Sequence, residues 1–276
     1  MPELPEVETV RRGIEARVVG RRIEAVTVTG ERTVRRTSAA AVVTGTTGRV
    51  VTGARRYGKY LLIGLDDGAE VLVHLRMSGQ LVLAAPAERL VPHTHVRFLL
   101  DDGSELRFVD PRTFGEVVVV RPDRVELDAA DLRALGPDAL SSRLGPAALG
   151  RRLARRRRVK DLLTDQHVLA GLGNIYADEV LWAARVRFDR PGNELTETEI
   201  RALHRSMRRI LSAAVDAGGS TLGDGQYVGI DGRAGAYQLE HAVHARAGLP
   251  CRRCRTPIER TAWCGRSSYF CPRCQT

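Results

Sequence analysis

Apolar positions along this chain change their period twice. Between residues 6 and 18 they fall at Val7, Val10, Ile14 and Val18, a spacing that lines one face of a helix, and Gly20 marks its end. From there to about Arg121 the pattern becomes short β-rich runs at residues 23–29, 60–65, 71–75, 95–100, 105–109 and 116–120. Asp66-Asp67-Gly68 and Asp101-Asp102-Gly103 separate some of these runs with good hairpin turns. The first part of the chain therefore predicts an antiparallel sandwich or flattened barrel with the first helix packed on it. Residues 122–128 read as a hinge. Helical spacing then returns over 129–135, 146–155, 159–164, 174–186 and 196–217. The last of these opens on a capping box, Thr196 with Glu199, and stops at Gly218-Gly219. A glycine-rich loop at 223–235 follows and is expected to be mobile.

Charge narrows the partners. The chain of 276 residues carries a formal net charge of +10, which favours an acidic polymer such as nucleic acid, although ribosomal or membrane-surface binding also fits. No apolar run approaches the roughly 18 residues of a membrane span, and no signal-peptide pattern opens the chain, so a soluble intracellular protein is expected. Of 43 basic residues all but two, Lys59 and Lys160, are arginine. A GC-rich genome produces such a skew. It makes the two lysines candidates for places that need a compact ammonium, with chance survival the alternative for each. Lys160 follows the arginine run 155–158, ordinarily a solvated face, and reads as a phosphate contact that any cation could replace.

Three stretches carry chemistry. Cys251-x2-Cys254-x16-Cys271-x2-Cys274 has the spacing of two knuckles that place four thiolates around one Zn²⁺. Four ligands close the coordination sphere, so the metal is expected to be structural and to supply the folding free energy of a short segment. Cys264 is expected to be a packed thiol. Arginines crowd this segment, Arg266 among them, as suits a phosphate backbone. In Ala170-Gly171-Leu172-Gly173-Asn174, glycines precede a helix start whose free N–H groups suit a phosphate. Finally, removal of Met1 would leave a secondary amine on Pro2, and a free α-amine titrates near about 7.7–8.0. Such an amine attacks an aldehyde-like carbon to give an iminium, and Glu3 beside it could serve as acid or base. The plainer alternative is that Pro2 and Pro5 only stiffen a chain end before a helix.

These pieces occur together with Tyr57-Gly58-Lys59-Tyr60-Leu61, His74-Leu75-Arg76-Met77-Ser78-Gly79, Asp110-Pro111-Arg112-Thr113-Phe114-Gly115 and Gly218-Gly219-Ser220-Thr221-Leu222. With them the chain resembles the formamidopyrimidine-DNA glycosylase family over essentially its whole length. The resemblance implies an α+β protein: an N-terminal catalytic β-sandwich domain with an N-terminal helix (residues 1–122) and a helical helix–two-turn–helix domain (129–225). A mobile lesion-recognition region (223–240) and a zinc finger (241–276) complete it. It implies a base-excision repair enzyme that removes oxidised purines such as 8-oxoguanine and formamidopyrimidines from duplex DNA. It also implies strand nicking by β,δ-elimination through a Schiff base on Pro2. By the same resemblance Glu3 assists glycosidic cleavage, while Lys59 and Arg266 match proton donors for β- and δ-elimination. His93, Arg112, Arg155, Asn174 and Arg266 fall on DNA-contacting positions, and His74 and Lys160 are further candidates for DNA contact. Met77, Arg112 and Phe114 match the residues that fill the space left by an extruded nucleotide; pattern alone would make Met77 and Phe114 core residues. A monomer acting on DNA in a bacterial cytoplasm, at the nucleoid, is expected.

Some positions depart from the family pattern. Thr113 stands where many relatives carry a second basic residue, and both the stretch 243–248 and the loop 223–235 are idiosyncratic. Two rival readings remain. A catalytically silent zinc-finger DNA-binding protein predicts loss of Pro2, Glu3 or Lys59, and all three are present. An endonuclease VIII-like glycosylase for oxidised pyrimidines is disfavoured by Leu4 and by the Met77, Arg112 and Phe114 set.

Overall fold

The first helix, α1 (Leu4–Arg17), starts where two local signals coincide. Pro5 occupies the first turn, where a missing N–H costs nothing, and Glu6 accepts the Glu3 N–H at 2.8 Å to close a capping box. Its inner face, Leu4, Val7, Val10 and Ile14, is buried. The computed structural model describes residues 1–121, 130–223, 225–263 and 265–276. The hinge expected at 122–128 and the packed thiol expected at Cys264 lie outside the described residues.

Chain contacts divide the molecule into two units, Met1–Arg133 with Ala217–Ala236, and Ala134–Asp216 with Tyr237–Thr276. The first unit holds two four-stranded antiparallel sheets. One runs β1 (Ile23–Val28), β6 (Thr94–Leu100), β7 (Glu105–Val109), β5 (Gln80–Ala84); the other runs β2 (Val51–Tyr57), β3 (Tyr60–Leu65), β4 (Glu70–His74), β8 (Glu116–Val120). Alternate residues of both sheets, including Leu61, Ile63, Val71, Val73, Phe98, Leu106 and Phe108, meet in one core with Val7, Val10 and Ile14 of α1. This is the period-two burial expected of a sandwich. Helix α2 (Ala39–Thr46) and the short α3 (Ala130–Arg133) complete the unit.

The glycine-rich loop expected to be mobile is anchored to this first unit. Tyr227 and Ile230 are buried in its core, and the Leu83 N–H donates to the Ile230 carbonyl at 2.8 Å. Gly13 of α1 makes room for it, since a Cβ there would meet Ile230 Cγ2 at 2.2 Å.

In the second unit, α4 (Pro146–Leu153), α5 (Val159–Thr164), α6 (Asn174–Ala184) and α7 (Glu197–Asp216) pack together. The capping box at Thr196 is present: Glu199 Oε2 accepts the Thr196 N–H at 2.8 Å, and Thr196 Oγ1 accepts the Glu199 N–H at 3.3 Å. Two turns join α5 to α6, and Gln166 holds them. Its amide donates to the Thr164 and Leu172 carbonyls, and its Oε1 accepts the Gly171 N–H. A hairpin of β9 (Glu259–Trp263) and β10 (Arg266–Phe270) ends the chain. Among the described residues no helix is long and apolar enough to cross a membrane.

Candidate functional site

The N-terminal turn is held from inside. Pro2, Glu3 and Glu6 are all buried, Glu3 at 2% exposure. Glu6 gives one carboxylate oxygen to the Glu3 N–H and the other to the Ser220 N–H, at 2.7 Å. Gly218 and Gly219, both at positive φ, bring the chain close enough; a Cβ on Gly219 would meet Glu6 Oε1 at 2.9 Å. The Tyr227 hydroxyl donates to the Gly218 carbonyl at 3.0 Å, and burial, then the Glu6 charge, keeps that phenol protonated. Glu3 and Pro2 are thus buried side by side in a turn that Glu6 holds.

Lys59 lies 5% exposed in the tight turn between β2 and β3, after Gly58 at positive φ. His74 ends β4 opposite Tyr60, with its ring 4.4 Å from the tyrosine ring. Its Nδ1 accepts the Arg76 N–H at 2.9 Å, and burial, helped by the charges of Arg76 and Lys59, holds it well below its ordinary value. A neutral imidazole and a buried ammonium therefore sit near one another.

Two exposed turns carry the next group. Met77 and Phe114 are 36% and 38% exposed, so they are not the core residues their pattern suggests. The Arg112 guanidinium lies 5.0 Å from the centre of the Phe114 ring, a stacking distance. Asp110, fully buried, ties the turns together: Oδ1 accepts the Ser78 hydroxyl at 2.5 Å and the Arg112 N–H at 3.2 Å, and Oδ2 accepts the Gly115 N–H at 2.7 Å. His93, exposed and at positive φ, lies with its ring 6.5 Å from that of His95.

In the second unit, Asn174 opens α6, and Arg266, exposed, opens β10. Both line an open pocket of about 280 Å³ together with Arg158, Lys160, Asp161 and Thr164. The Asn174 Nδ2 donates to the Ser267 carbonyl at 2.9 Å, and its buried Oδ1 has no hydrogen-bond partner among the described residues. Cations and a helix N-terminus around one opening suit a phosphate. Arg155 is exposed and is not part of that lining.

Lys160 does not lie on the solvated face that the arginine run before it suggests. It is 6% exposed, and its ammonium donates to Asp178 Oδ1 at 2.6 Å, Ser268 Oγ at 2.9 Å and the Ser267 carbonyl at 2.9 Å. Three donors meet three acceptors, so the ammonium holds the β10 strand to α6, on the wall of the pocket that Asn174 and Arg266 also line. Asp178 Oδ2 meets His244 Nδ1 at 2.9 Å, and Glu179 accepts the N–H groups of Ala242, Val243 and His244. The sequence alone gives Asp178 and Glu179 no role, because their partners lie far along the chain.

The ligand sulfurs of Cys251, Cys254, Cys271 and Cys274 lie within 4.8 Å of one another. A tetrahedral ion with Zn–S bonds of about 2.3 Å sets sulfurs roughly 3.8 Å apart, so the set fits one such cation. The Trp182 indole N–H and the Arg253 N–H both point at Cys251 Sγ, each at 3.4 Å, as suits a thiolate. Burial, and hydrogen bonding among the sulfurs, pushes Cys271 up to about 12, so full deprotonation of the cluster calls for a cation.

Three family matches cover most of the chain. Residues 1–117 match the formamidopyrimidine-DNA glycosylase N-terminal domain, 135–225 its H2TH domain, and 248–276 the zinc finger found in FPG and IleRS. Curated formamidopyrimidine-DNA glycosylases of Geobacillus kaustophilus and Salinispora arenicola are 44% and 46% identical. All of this chain is covered in both comparisons, with 100% and 96% of the relatives. The solved MutM (Fpg) protein of Thermus thermophilus matches with TM-score 0.89 at 40% identity, covering 99% of this chain and 98% of that one. A point mutant of the Lactococcus lactis Fpg, in complex with a Fapy-dG containing DNA, matches with TM-score 0.91 at 34% identity over 100% of both chains.

Proposed function

The chain belongs to the formamidopyrimidine-DNA glycosylase family, and from that membership we propose how its residues divide the work. It is a base-excision repair glycosylase for oxidised purines with AP lyase activity, and damaged DNA is its partner. Once Met1 is removed, the Pro2 nitrogen attacks C1′ of the damaged nucleotide and the base departs. The sugar ring at C1′ opens to an iminium, which acidifies the neighbouring C–H for elimination. Glu3 supplies and takes up protons at the sugar and leaving base. Lys59 serves β-elimination, and Arg266 δ-elimination. Met77, Arg112 and Phe114 form a wedge that fills the stack after extrusion. Asn174, Arg266 and the cations around them hold phosphate, with His93 and Arg155 as further DNA contacts. One zinc ion on Cys251, Cys254, Cys271 and Cys274 supplies folding of the hairpin that carries Arg266, and no chemistry. The protein works as a monomer on bacterial nucleoid DNA.

The observation that carries this reading is that Glu3 and Pro2 are both buried, with the Glu3 N–H held by Glu6. Borohydride should trap a covalent adduct between the protein and an 8-oxoguanine duplex. Trapping that persists when the terminus is blocked by an N-terminal tag would refute the nucleophile. A second substrate class is worth measuring, because a Lactococcus lactis Fpg has been solved with DNA containing an oxidised pyrimidine. Cleavage of 8-oxoguanine:C against thymine glycol:A duplexes ranks the two.

A further inference from the structure

Glu116 is a carboxylate placed where a sandwich strand ordinarily carries an apolar residue. It opens β8, pairs with His74 across the sheet, and is 4% exposed. Three arginines converge on it. Oε1 accepts from Arg35 and, at 3.0 Å, from Arg76, while Oε2 accepts from Arg36 at 3.5 Å. Arg35 goes further and donates to the carbonyls of Phe114 and Gly115, each at 3.2 Å. Arg76 is the residue before Met77 and sits at φ +52°, a backbone that needs support. Glu116 thus reaches the Met77 turn through Arg76 and the Phe114 turn through Arg35. Asp110 links the same two turns through different atoms, the Ser78 hydroxyl and the N–H groups of Arg112 and Gly115.

A buried ion pair is weak evidence for stability, because desolvation offsets most of its attraction. Geometry is the better explanation of this arrangement. A side chain that enters a base stack works against an unstacking cost of roughly a few kcal/mol per step. It can deliver that work only if the turn beneath it does not yield. Met77 and Phe114 project from separate turns, and each turn is braced by both carboxylates.

We propose that Glu116 and Asp110 are positioning residues that brace the Met77 and Arg112–Phe114 turns into one stiff wedge, setting the rate of nucleotide extrusion and not the chemistry at C1′. The proposal rests on the wedge role given to Met77, Arg112 and Phe114 above. The brace carries its load while a stacked base is being extruded, and an abasic nucleotide, with no base to unstack, makes little demand on it.

The test uses Glu116→Gln, which keeps the shape and removes the charge, and Ser78→Ala, which cuts the link to Asp110 without touching the arginine cluster. Stopped-flow fluorescence of a 2-aminopurine beside the lesion reads extrusion, and single-turnover cleavage of a duplex with a preformed abasic site reads the chemistry. Loss of one charged hydrogen bond predicts extrusion slower by roughly 10–100-fold, with abasic-site cleavage changed by less than about 3-fold. Either folded variant is enough for the test. Extrusion at the wild-type rate, or equal slowing on both substrates, overturns the proposal. Phe114→Ala separates the two layers: if it slows extrusion and the brace variants do not, the brace alone fails. If Phe114→Ala also leaves extrusion unchanged, the wedge reading fails with it.

Discussion

Replacing Lys160 by methionine is the most informative single perturbation of the second unit. The native ammonium is 7% exposed by side chain, faces an Asp178 at 0%, and satisfies three acceptors at 2.6–2.9 Å. Methionine keeps most of the volume and leaves Asp178 buried with only His244 as its remaining partner among the hydrogen bonds described above. Breaking a buried pair from one side costs about 3–5 kcal/mol. For a folding unit of this size that is a fall of roughly 10–20 °C in Tm. Lys160→Arg should also destabilise, by about 1–3 kcal/mol, because a planar guanidinium overfills a site built for a compact ammonium. Adding Asp178→Asn to Lys160→Met should recover part of the loss, since it removes the stranded charge. Calorimetry of the zinc-loaded proteins measures these shifts, and salt-titrated binding to an abasic-site duplex measures the DNA term. An unchanged Tm in Lys160→Met, together with a salt slope reduced by about one, would show that the ammonium faces a phosphate and that the inward contacts are wrong.

Three further outcomes follow from the same structure. Lys59→Arg should slow single-turnover cleavage by about 100-fold or more while leaving affinity nearly unchanged, because a bulkier, more basic group cannot exchange protons there; wild-type rates would refute a proton-transfer role. Cys254→Ser should release the zinc and abolish lesion-duplex binding, as metal analysis and a binding titration on the same sample will show; normal affinity without zinc would contradict it. His241, moved from its ordinary 6.5 to about 4 by burial and then by His244 and Arg252, stays neutral in the fold while the unfolded chain takes up a proton. Stability should therefore fall as pH drops from about 6.5 to about 4, by up to about 3 kcal/mol, and His241→Gln should flatten that part of a pH-dependent unfolding curve.

What can be read from residues alone divides along physical lines. Runs with a clean period are legible: the strands at 60–65, 105–109 and 116–120 and the helix at 159–164 have the bounds expected. Strand β2 escapes because Thr52, Gly53, Arg55 and Arg56 break its apolar alternation, and its pairing with β3 supplies what its own sequence lacks. Helix α2 escapes for a similar reason, being short and carrying Thr44, Gly45 and Thr46. Lys160 misleads through its neighbours in sequence, the arginine run, when its neighbours in space are Asp178, Ser267 and Ser268. The same limit hides Glu6, Asp110, Glu116, Asp178 and Glu179. Each is at most 4% exposed, and at least one partner of each lies more than 30 residues away along the chain.

The candidate site thus inverts the ordinary rule of burial. Large apolar side chains, Met77 and Phe114, stand in solvent, and carboxylates stand in the interior. Under the wedge role proposed above, the two facts have one cause. A surface that must enter a base stack needs apolar tips, and those tips cannot be held by apolar packing on the side that DNA will occupy. They must be held from behind, by bonds with direction, and a buried carboxylate that accepts several N–H donors is the stiffest such anchor available to a side chain. Glu6 does for the turn at Pro2 and Glu3 what Asp110 and Glu116 do for the turns of Met77 and Phe114. Periodicity cannot announce such residues, because in the sequence a buried anchor and a solvated glutamate look the same. They become visible only when the donors that surround them are in place.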